Sequence, residues 1–196
     1  LQRRKSPGFE TRLLWALKNR PKIAGHLLDV NGDIMDINKD ILLTVTPRDR
    51  LERMLHYLFD ENEFLSPYGI RSVSKFHEKH PYTYAVNGTV YSVDYEPAEG
   101  KTGMFGGNSN WRGPVWLPIN YMIIQALKTY DHFYGDSLEV EFPSGSGNKV
   151  TLGEAARLLS LRVASLFLPD AKGHRPVHGG EERYAADPAW KDLVLF

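Results

Sequence analysis

Residues 106–121 read GGNSNWRGPVWLPINY and join a polar, glycine-containing segment to a long apolar one. The stretch holds two tryptophans and an arginine, preceded by two asparagines: Trp111, Arg112, Trp116, Asn108 and Asn110. A packed core uses tryptophans but has little use for an arginine and two amides. A ligand pocket combines apolar walls with a few polar groups and would use all five. Two interpretations stay open, a binding loop or a core tryptophan with Arg112 paired to a buried acid.

A sugar is the ligand that these residue types would suit. Aromatic rings pack against the C–H faces of sugar rings. The guanidinium of Arg112 offers a rigid fork of donors, and the amides of Asn108 and Asn110 donate and accept hydrogen bonds as hydroxyl groups do. The residue types alone therefore allow a sugar-binding loop here.

Composition excludes several other classes of protein. The chain has 196 residues, 42% of them hydrophobic, so it can bury a sizeable core. Its net charge of zero disfavours a nucleic-acid binder and a polybasic membrane anchor. It has no cysteine and no apolar run as long as a membrane span. We therefore expect neither nucleic acid nor membrane as a partner. Without a recognisable phosphate loop, we expect no cofactor.

Apolar residues at helical spacing predict four helices, at 9–19, from Pro47 onward, at about 115–134 and after Thr151. The four stripes are Phe9, Leu13, Leu14, Leu17; Leu51, Met54, Leu55, Leu58, Phe59; Trp116, Ile119, Ile123, Leu127, Tyr130, Tyr134; and Leu158, Leu159, Val163, Leu166, Phe167. Their ends carry capping signals. These are Thr46 with Pro47 in the first turn, Gly135 as a stop, and the capping box of Thr151 with Glu154. Pro21 ends the first helix, and Asp187–Pro188 opens one more.

Long connections separate these helices. Residues 64–112 show little helical periodicity, and residues 138–142 and 149–152 flank a Ser-Gly-Ser-Gly turn typical of a small hairpin. Loops of this length in a compact helical domain usually carry binding functions. The pattern predicts an all-α fold, part of an α/α toroid with long loops and small β-hairpin insertions, and a site at one rim.

Two acidic segments resemble metal sites only loosely. In residues 29–40 oxygen ligands recur with a calcium-loop rhythm at Asp29, Asn31, Asp33 and Asp40. Ile34 stands where such a loop needs glycine, so we predict a polar surface loop without calcium. The spacing of His178, Glu181 and Glu182 matches no zinc motif and predicts a solvated turn. No metal site is expected.

Five blocks in order resemble glycoside hydrolase family 63, which includes processing α-glucosidase and mannosylglycerate hydrolase types. They are FLSPYGIRSVS at 64–74, YSVDYEPAEGKTG at 91–103, GMFGGNSNWRGPVWLPINY at 103–121, FPSGSGNKVTLGEAA at 142–156 and RPVHGGEERYAADPAWKDLVLF at 175–196. A WRGP motif alone would be weak, because trehalases and other toroid glycosidases have related loops. The resemblance implies an (α/α)6 toroid that hydrolyses α-glucosidic or related α-linked sugars with inversion. Its substrate would be an oligosaccharide or a small glycoside.

The resemblance also implies which residues meet the substrate. Trp111, Arg112, Trp116, Asn108 and Asn110 would form the main sugar-binding loop, and Tyr68, Arg71 and Asp94 would approach it from neighbouring loops. For Tyr68 and Arg71, a packed tyrosine and a structural arginine are nearly as good an interpretation. Asp94 and Glu96 are the best carboxylates near the loop. We favour a role in bracing Arg112 over catalysis for both.

An inverting glycosidase needs a general acid and a general base about 6.5–9.5 Å apart. The resemblance puts the acid in a Phe-Tyr-Tyr-Asp-like motif upstream and the base in a Glu-Tyr-Phe-His-Gly-Asp-like motif just beyond residue 196. Neither motif occurs in the sequence. We therefore expect residues 1–196 to be a single partial catalytic domain, the C-terminal half of a toroid truncated at both ends. It would contain no catalytic residue.

The partner of such a half-domain would be the remainder of its own catalytic domain. Helix faces carrying Leu158, Val163 and Phe167 would then lie uncovered. A cytoplasmic location is expected. The alternative is a non-catalytic carbohydrate-binding or scaffold α/α domain, which the acid and base motifs in the flanking sequence would exclude.

A polypeptide of residues 1–196 should not hydrolyse glycosides. General acid and base groups each contribute about 10²–10⁴-fold to rate, and both are expected outside this range. The measurement compares this polypeptide with one extended at both ends, using α-glucosides and mannosylglycerate. Equal activity would place the catalytic pair within 1–196, with Asp94 and Glu96 as the first residues to test.

Overall fold

The structure is a computed structural model that describes residues 8–20, 42, 44, 46–97 and 115–193. The side chains of Glu10, Leu14 and Leu17 and the calcium-like segment 29–40 lie outside the described part. The chain divides into two compact units, residues 1–55 and 56–196. It is helix-rich with small antiparallel strand pairs, which confirms a mostly helical class. The single-domain and toroid expectations stay predictions.

The first unit contains helix α1, Phe9–Asn19, with the predicted bounds. Helix α2, Arg48–Leu58, runs from the first unit into the second. It begins one residue later than predicted, because the Pro47 carbonyl accepts the first helical hydrogen bond, from Leu51 N–H. Leu51 and Leu55 are buried as predicted, but Met54 is 59% exposed and does not belong to the buried stripe.

The predicted loop region after residue 64 contains two strand pairs. Strands β1 (Leu65–Ser66) and β2 (Gly69–Ile70) form a minimal antiparallel pair. A 3₁₀ turn at Lys75–Glu78 follows, capped by the hydroxyl of Ser74, which accepts from Phe76 N–H. Strands β3 (Tyr82–Val86) and β4 (Thr89–Val93) form a second antiparallel pair.

The β3–β4 hairpin corrects the prediction of an irregular loop at this point. Asn87 and Gly88 connect the strands with φ values of 49° and 80°. Two residues with positive φ form the turn whose twist suits a two-residue hairpin, and Asn-Gly is its commonest sequence. The register puts Tyr82, Tyr84 and Tyr91 on one face, and all three rings are exposed. The hairpin is therefore a ribbon with an open aromatic face.

Helices α3 (Leu117–Tyr134) and α4 (Leu152–Ser165) form the main helical layer of the second unit. Gly135 ends α3, and the hydroxyl of Thr151 caps α4 by accepting from Glu154 N–H at 3.2 Å; both were predicted. Strands β5 (Glu139–Glu141) and β6 (Lys149–Thr151) pair between the two helices, which confirms the predicted hairpin.

The two helices run antiparallel and are fastened at both ends. Near the end of α3, Asp131 accepts a hydrogen bond of 2.7 Å from Gly153 N–H in the first turn of α4. An acid at a helix N-terminus stabilises it. At the opposite end, Gly69 contacts residues near the start of α3 and Val163 near the end of α4, with no space for a side chain. The β1–β2 turn therefore lies across the open end of the helix pair.

The side-chain amide of Asn120 connects that turn to α3. Asn120 is 1% exposed. Its Oδ1 accepts from Ile70 N–H at 2.7 Å, and its Nδ2 donates to the carbonyls of Ile70 at 2.9 Å and Trp116 at 3.0 Å. The amide thus pairs with Ile70 as a neighbouring β-strand would. Arg71 and Val115 form an isolated antiparallel bridge beside it.

The apolar core packs on the inner faces of α3 and α4 and on the β5–β6 hairpin. Its most deeply buried members include Phe59, Leu65, Leu138, Leu152 and Leu159. Phe59 at the end of α2 packs edge-to-face on Phe142, with ring centroids 4.9 Å apart. The Phe59 carbonyl accepts from Ser144 N–H at 3.0 Å, which joins the end of α2 to the hairpin turn.

Beyond α4 the chain forms a 3₁₀ turn at Pro176–His178 and a short helix α5, Glu182–Ala186. The helix predicted to open at Asp187 is wrong. Asp187 follows α5 and starts a single turn, its carbonyl accepting from the N–H groups of Trp190 and Lys191. No helix among the described residues is long and apolar enough to cross a membrane.

The uncovered face expected on α4 is also corrected. Leu158, Val163 and Phe167 are half-buried, and the exposed leucines of this region are Leu161 and Leu168. Val163 lies against Gly69, so the β1–β2 turn covers part of the face that was expected to be open.

Replacing Gly69 by alanine should lower the free energy of unfolding by about 2–4 kcal/mol. Gly69 has a φ of +131°, and an added Cβ would lie 2.8 Å from Asn120 Oδ1 and 3.0 Å from Val163 Cγ2. Backbone strain and overpacking would therefore add. Chemical denaturation measures the loss.

The matched control is Gly145→Ala. Gly145 also has a positive φ, +80°, but open space surrounds the position of its Cβ. It should lose roughly 1–2 kcal/mol, from strain alone. Equal losses in the two variants would show that the packing at Gly69 tolerates a methyl group.

Candidate functional site

A cavity of about 460 Å³ opens in the second unit, where the β1–β2 turn meets the segment after β4, Val115 ahead of α3 and the chain beyond α4. Its lining residues are Ser66, Pro67, Tyr68, Arg71, Tyr95, Pro97, Val115, Leu166, Pro176, Val177 and Gly179. The volume is in the range of small-ligand sites, and the wall is largely apolar with a few polar groups.

The β1–β2 turn presents Tyr68 to this cavity. The hydroxyl of Ser66 donates to the Gly69 carbonyl at 2.7 Å and accepts from Tyr68 N–H at 3.1 Å, so both bonds close the turn from inside. Tyr68 lines the cavity and is 37% exposed. A partly exposed ring on a fixed backbone is suited to stacking on a ligand.

Arg71 is a buried cation in the cavity wall. Its Nη1 donates to the carbonyls of Glu61, Glu63 and Leu65, at 3.1, 3.2 and 2.5 Å. The guanidinium lies 5.8 Å from the centre of the Tyr95 ring. Within the described part of the chain its Nε is buried without a hydrogen-bond partner. These bonds make Arg71 an anchor for the preceding loop, while the residue still lines the cavity.

Asp94, Tyr95 and Glu96 follow β4 at the cavity edge. Asp94 is half-buried and accepts a hydrogen bond of 2.8 Å from the Ser92 hydroxyl. Glu96 is 4% exposed, between the cavity-lining residues Tyr95 and Pro97. Buried carboxylates in proteins are normally paired. The burial of Glu96 therefore fits a bracing role better than an open, substrate-facing one.

The main predicted loop lies outside the described residues, including Asn108, Asn110, Trp111 and Arg112. The described residues on either side of it, Pro97 and Val115, both line the cavity. Trp116 is half-buried and immediately precedes α3, and its carbonyl accepts from the main-chain N–H of Asn120 at 3.0 Å.

Residues 166–179 form the remaining wall. Val177 N–H donates to the Leu166 carbonyl at 2.9 Å, and Arg175 Nη1 donates to the Phe167 carbonyl at 2.8 Å. Hydrogen bonds from the N–H groups of His174 and Lys172 hold the pKa of the Asp170 carboxyl below its usual value. Asp170 stays ionised at neutral pH, as these bonds require.

The predicted solvated turn at His178, Glu181 and Glu182 is only half correct. Both glutamates are exposed, and Glu182 lies 3.1 Å from the ring of His174. His178, however, packs on Tyr184 with centroids 4.9 Å apart, and both its ring nitrogens are buried without a hydrogen-bond partner among the described residues. No group of three metal-ligating side chains occurs within the described part of the chain.

Sequence reasoning missed three residues of this region: Asn120, Tyr95 and Ser66. Asn120 carries a signal in the sequence, an amide inside an apolar helical stretch, because a buried amide must be hydrogen-bonded. For Tyr95 and Ser66 the sequence gives no comparable signal, since both depend on contacts between distant segments.

Comparison with known proteins gives the class. The model of the glycosyl hydrolase family 63 C-terminal domain matches residues 39–141, and the chain belongs to this family. An uncharacterized protein of Saccharomyces cerevisiae is 45% identical over 194 residues, 96% of this chain. A probable mannosyl-oligosaccharide glucosidase of Schizosaccharomyces pombe is 33% identical over 89 residues, 44% of this chain.

The chain spans only part of these relatives, 18% of the S. cerevisiae protein and 8% of the S. pombe protein. No solved structure matches the chain. The resemblance read from the five sequence blocks is confirmed at the level of the family.

Replacing Arg71 by lysine should destabilise the protein by about 2 kcal/mol. A lysine ammonium is a point donor and cannot reproduce the position of the guanidinium, so buried carbonyls of the 61–65 loop would lose a charged partner. Thermal and chemical denaturation measure the effect. Arg157→Lys is the control, because Arg157 is exposed and pairs with Glu154 on the surface of α4. The control should leave the midpoint nearly unchanged, and an equally stable Arg71→Lys protein would contradict the anchoring role.

Proposed function

We propose that the chain is the part of a family 63 glycosidase that holds the sugar. The enzyme would hydrolyse α-glucosidic or related α-linked sugars of oligosaccharides or small glycosides, with inversion. The observation that carries this proposal is the cavity walled by Tyr68, Arg71 and Tyr95, with Pro97 and Val115 at its edge. The family and the name of the S. pombe relative support the substrate class.

The cavity residues offer the contacts that a sugar uses. The Tyr68 ring can pack on the C–H face of a pyranose, and its hydroxyl can donate or accept. The Arg71 guanidinium lies in the wall, where its Nη1 is bonded to the carbonyls of Glu61, Glu63 and Leu65 and fixes the loop behind the cavity. Ser66 and the main chain of Gly179 add small polar groups at the edge.

The 108–112 residues would complete this site. Trp111 and Arg112 are proposed as the stacking ring and the donor fork, with Asn108 and Asn110 binding hydroxyl groups. Trp116 and Asp94 are proposed to approach the same sugar. The described residues support this proposal only through Pro97 and Val115, which line the cavity and stand on either side of the segment in the sequence.

The rest of the catalytic domain is proposed as the partner of this chain. The antiparallel α3–α4 pair is the kind of unit from which an (α/α)6 toroid is built, and the open aromatic face of the β3–β4 ribbon supports contact with further polypeptide. A two-stranded ribbon is marginally stable unless another element packs on it. The acid and base are proposed to come from that remainder. A cytoplasmic location is proposed on the sequence alone.

The complete protein should hydrolyse an α-glucoside or mannosylglycerate and release the product in the inverted configuration. Proton NMR at early times detects which anomer forms first. Trp111→Ala should reduce kcat/KM by roughly 1–3 kcal/mol of transition-state stabilisation, because stacking and positioning are lost together.

Trp15→Ala serves as the matched control, since Trp15 is an exposed tryptophan on α1 that does not line the cavity. It should leave kcat/KM unchanged. Binding of α-linked sugars without hydrolysis would favour the non-catalytic carbohydrate-binding alternative. A protein that neither binds nor hydrolyses them would overturn both.

A further inference from the structure

We propose that Asn120 is a positioning residue for sugar binding. It would set the shape of the cavity through the β1–β2 turn without touching the sugar. This inference rests on the proposed function, and it assigns a role to a side chain that does not line the cavity.

The Asn120 amide is not available to bind a ligand directly. The amide is 1% exposed, and both of its Nδ2 donors and its Oδ1 are bonded, to Ile70 and to Trp116. A side chain with its donors fully used cannot bind a ligand directly. Any effect on a ligand must pass through the groups that the amide holds.

The main-chain groups that the amide holds belong to Ile70, at the end of the β1–β2 turn. Ile70 is flanked by Gly69 and by Arg71, and Arg71 lines the cavity and bridges to Val115, which also lines it. Tyr68, the exposed ring of the cavity, is two residues from Ile70. The two bonds between Asn120 and Ile70 therefore fix the position of residues Tyr68–Arg71 relative to α3.

Among the described residues, Asn120 supplies the side-chain hydrogen bonds that connect Ile70 to α3. Gly69 fits against Asn120 Oδ1, Val115 and Val163 with no spare volume, so a shift of Ile70 moves the whole turn. The Ser66 hydroxyl closes the turn internally but does not connect it to α3. Arg162 donates to the Ser66 carbonyl at 2.8 Å, which connects the start of the turn to α4, whereas Asn120 and the Arg71–Val115 bridge act at its end.

The test is Asn120→Asp in the complete protein, assayed on an α-glucoside that the wild type hydrolyses. The substitution keeps the shape and Oδ1 but removes both Nδ2 donors and introduces a buried carboxyl. KM should rise about tenfold or more at neutral pH while kcat changes less than about threefold, because binding and not chemistry is disturbed. Hydrogen exchange of the Ile70 amide should accelerate in parallel.

A pH profile adds a readout that loss of stability alone would not produce. Burial raises the pKa of a carboxyl, so a protonated Asp at position 120 can again donate to the Ile70 carbonyl. The ratio of variant to wild-type KM should fall as the pH is lowered. If Asn120→Asp does not fold, Asn120→Gln keeps the amide, moves it by one methylene and should show the same split between KM and kcat.

The control is Asn148→Asp. Asn148 makes the same type of bond, to the Phe142 carbonyl at 3.2 Å in the β5–β6 turn, but does not contact the cavity. Its KM should equal that of the wild type.

An Asn120 variant with wild-type KM per folded molecule, or with a loss confined to kcat, would overturn the positioning role and leave the proposed function intact. A wild type inactive on every α-glycoside would overturn the proposed function and this inference with it.

Discussion

The hydrogen bonds between the Asn120 amide and the main chain of Ile70 hold the second unit together at the end that carries the cavity. They join residues 50 positions apart and act where a strand pair would otherwise be needed. Two other features lie beside them. Position 69 has no space for a side chain because Asn120 Oδ1 lies against it, and the Arg71–Val115 bridge directly follows Ile70 along the chain. A single buried amide thus determines how the β1–β2 turn closes the end of the helix pair.

Charged and aromatic groups have different roles in the cavity wall. The charge of Arg71 is directed at three main-chain carbonyls of the 61–65 loop, so the cation organises the wall from behind. The surface that remains for a ligand is mainly rings and apolar side chains, with Tyr68 the most exposed aromatic group. Such a division suits a neutral sugar, because a sugar binds by stacking and by directed hydrogen bonds and needs no counter-ion.

Several exposed faces of the second unit carry aromatic and apolar side chains. Tyr82, Tyr84 and Tyr91 form an uncharged face on the β3–β4 ribbon, and Tyr121 and Met122 are exposed at the start of α3. Contiguous exposed apolar surface of this kind usually marks contact with other polypeptide or with a ligand. In the proposed enzyme, these faces would contact the rest of the catalytic domain, which would also supply the catalytic carboxylates.

The sequence by itself determined the four longer helices, because apolar periodicity and capping residues act locally: α1, the stop at Gly135 and the Thr151 cap were all predictable. It did not determine the short helix α5, and the helix that it indicated at Asp187 is a single turn. It also determined the family, through five ordered blocks. Asn87–Gly88 carries an equally local hairpin signal, which helical periodicity does not reveal. Only the tertiary structure decided that Asn120 pairs with Ile70, that Arg71 points to carbonyls, and that Val163 is covered by Gly69. Each of these joins segments far apart in the chain, and residue spacing carries no information about which distant backbone a buried polar group will meet.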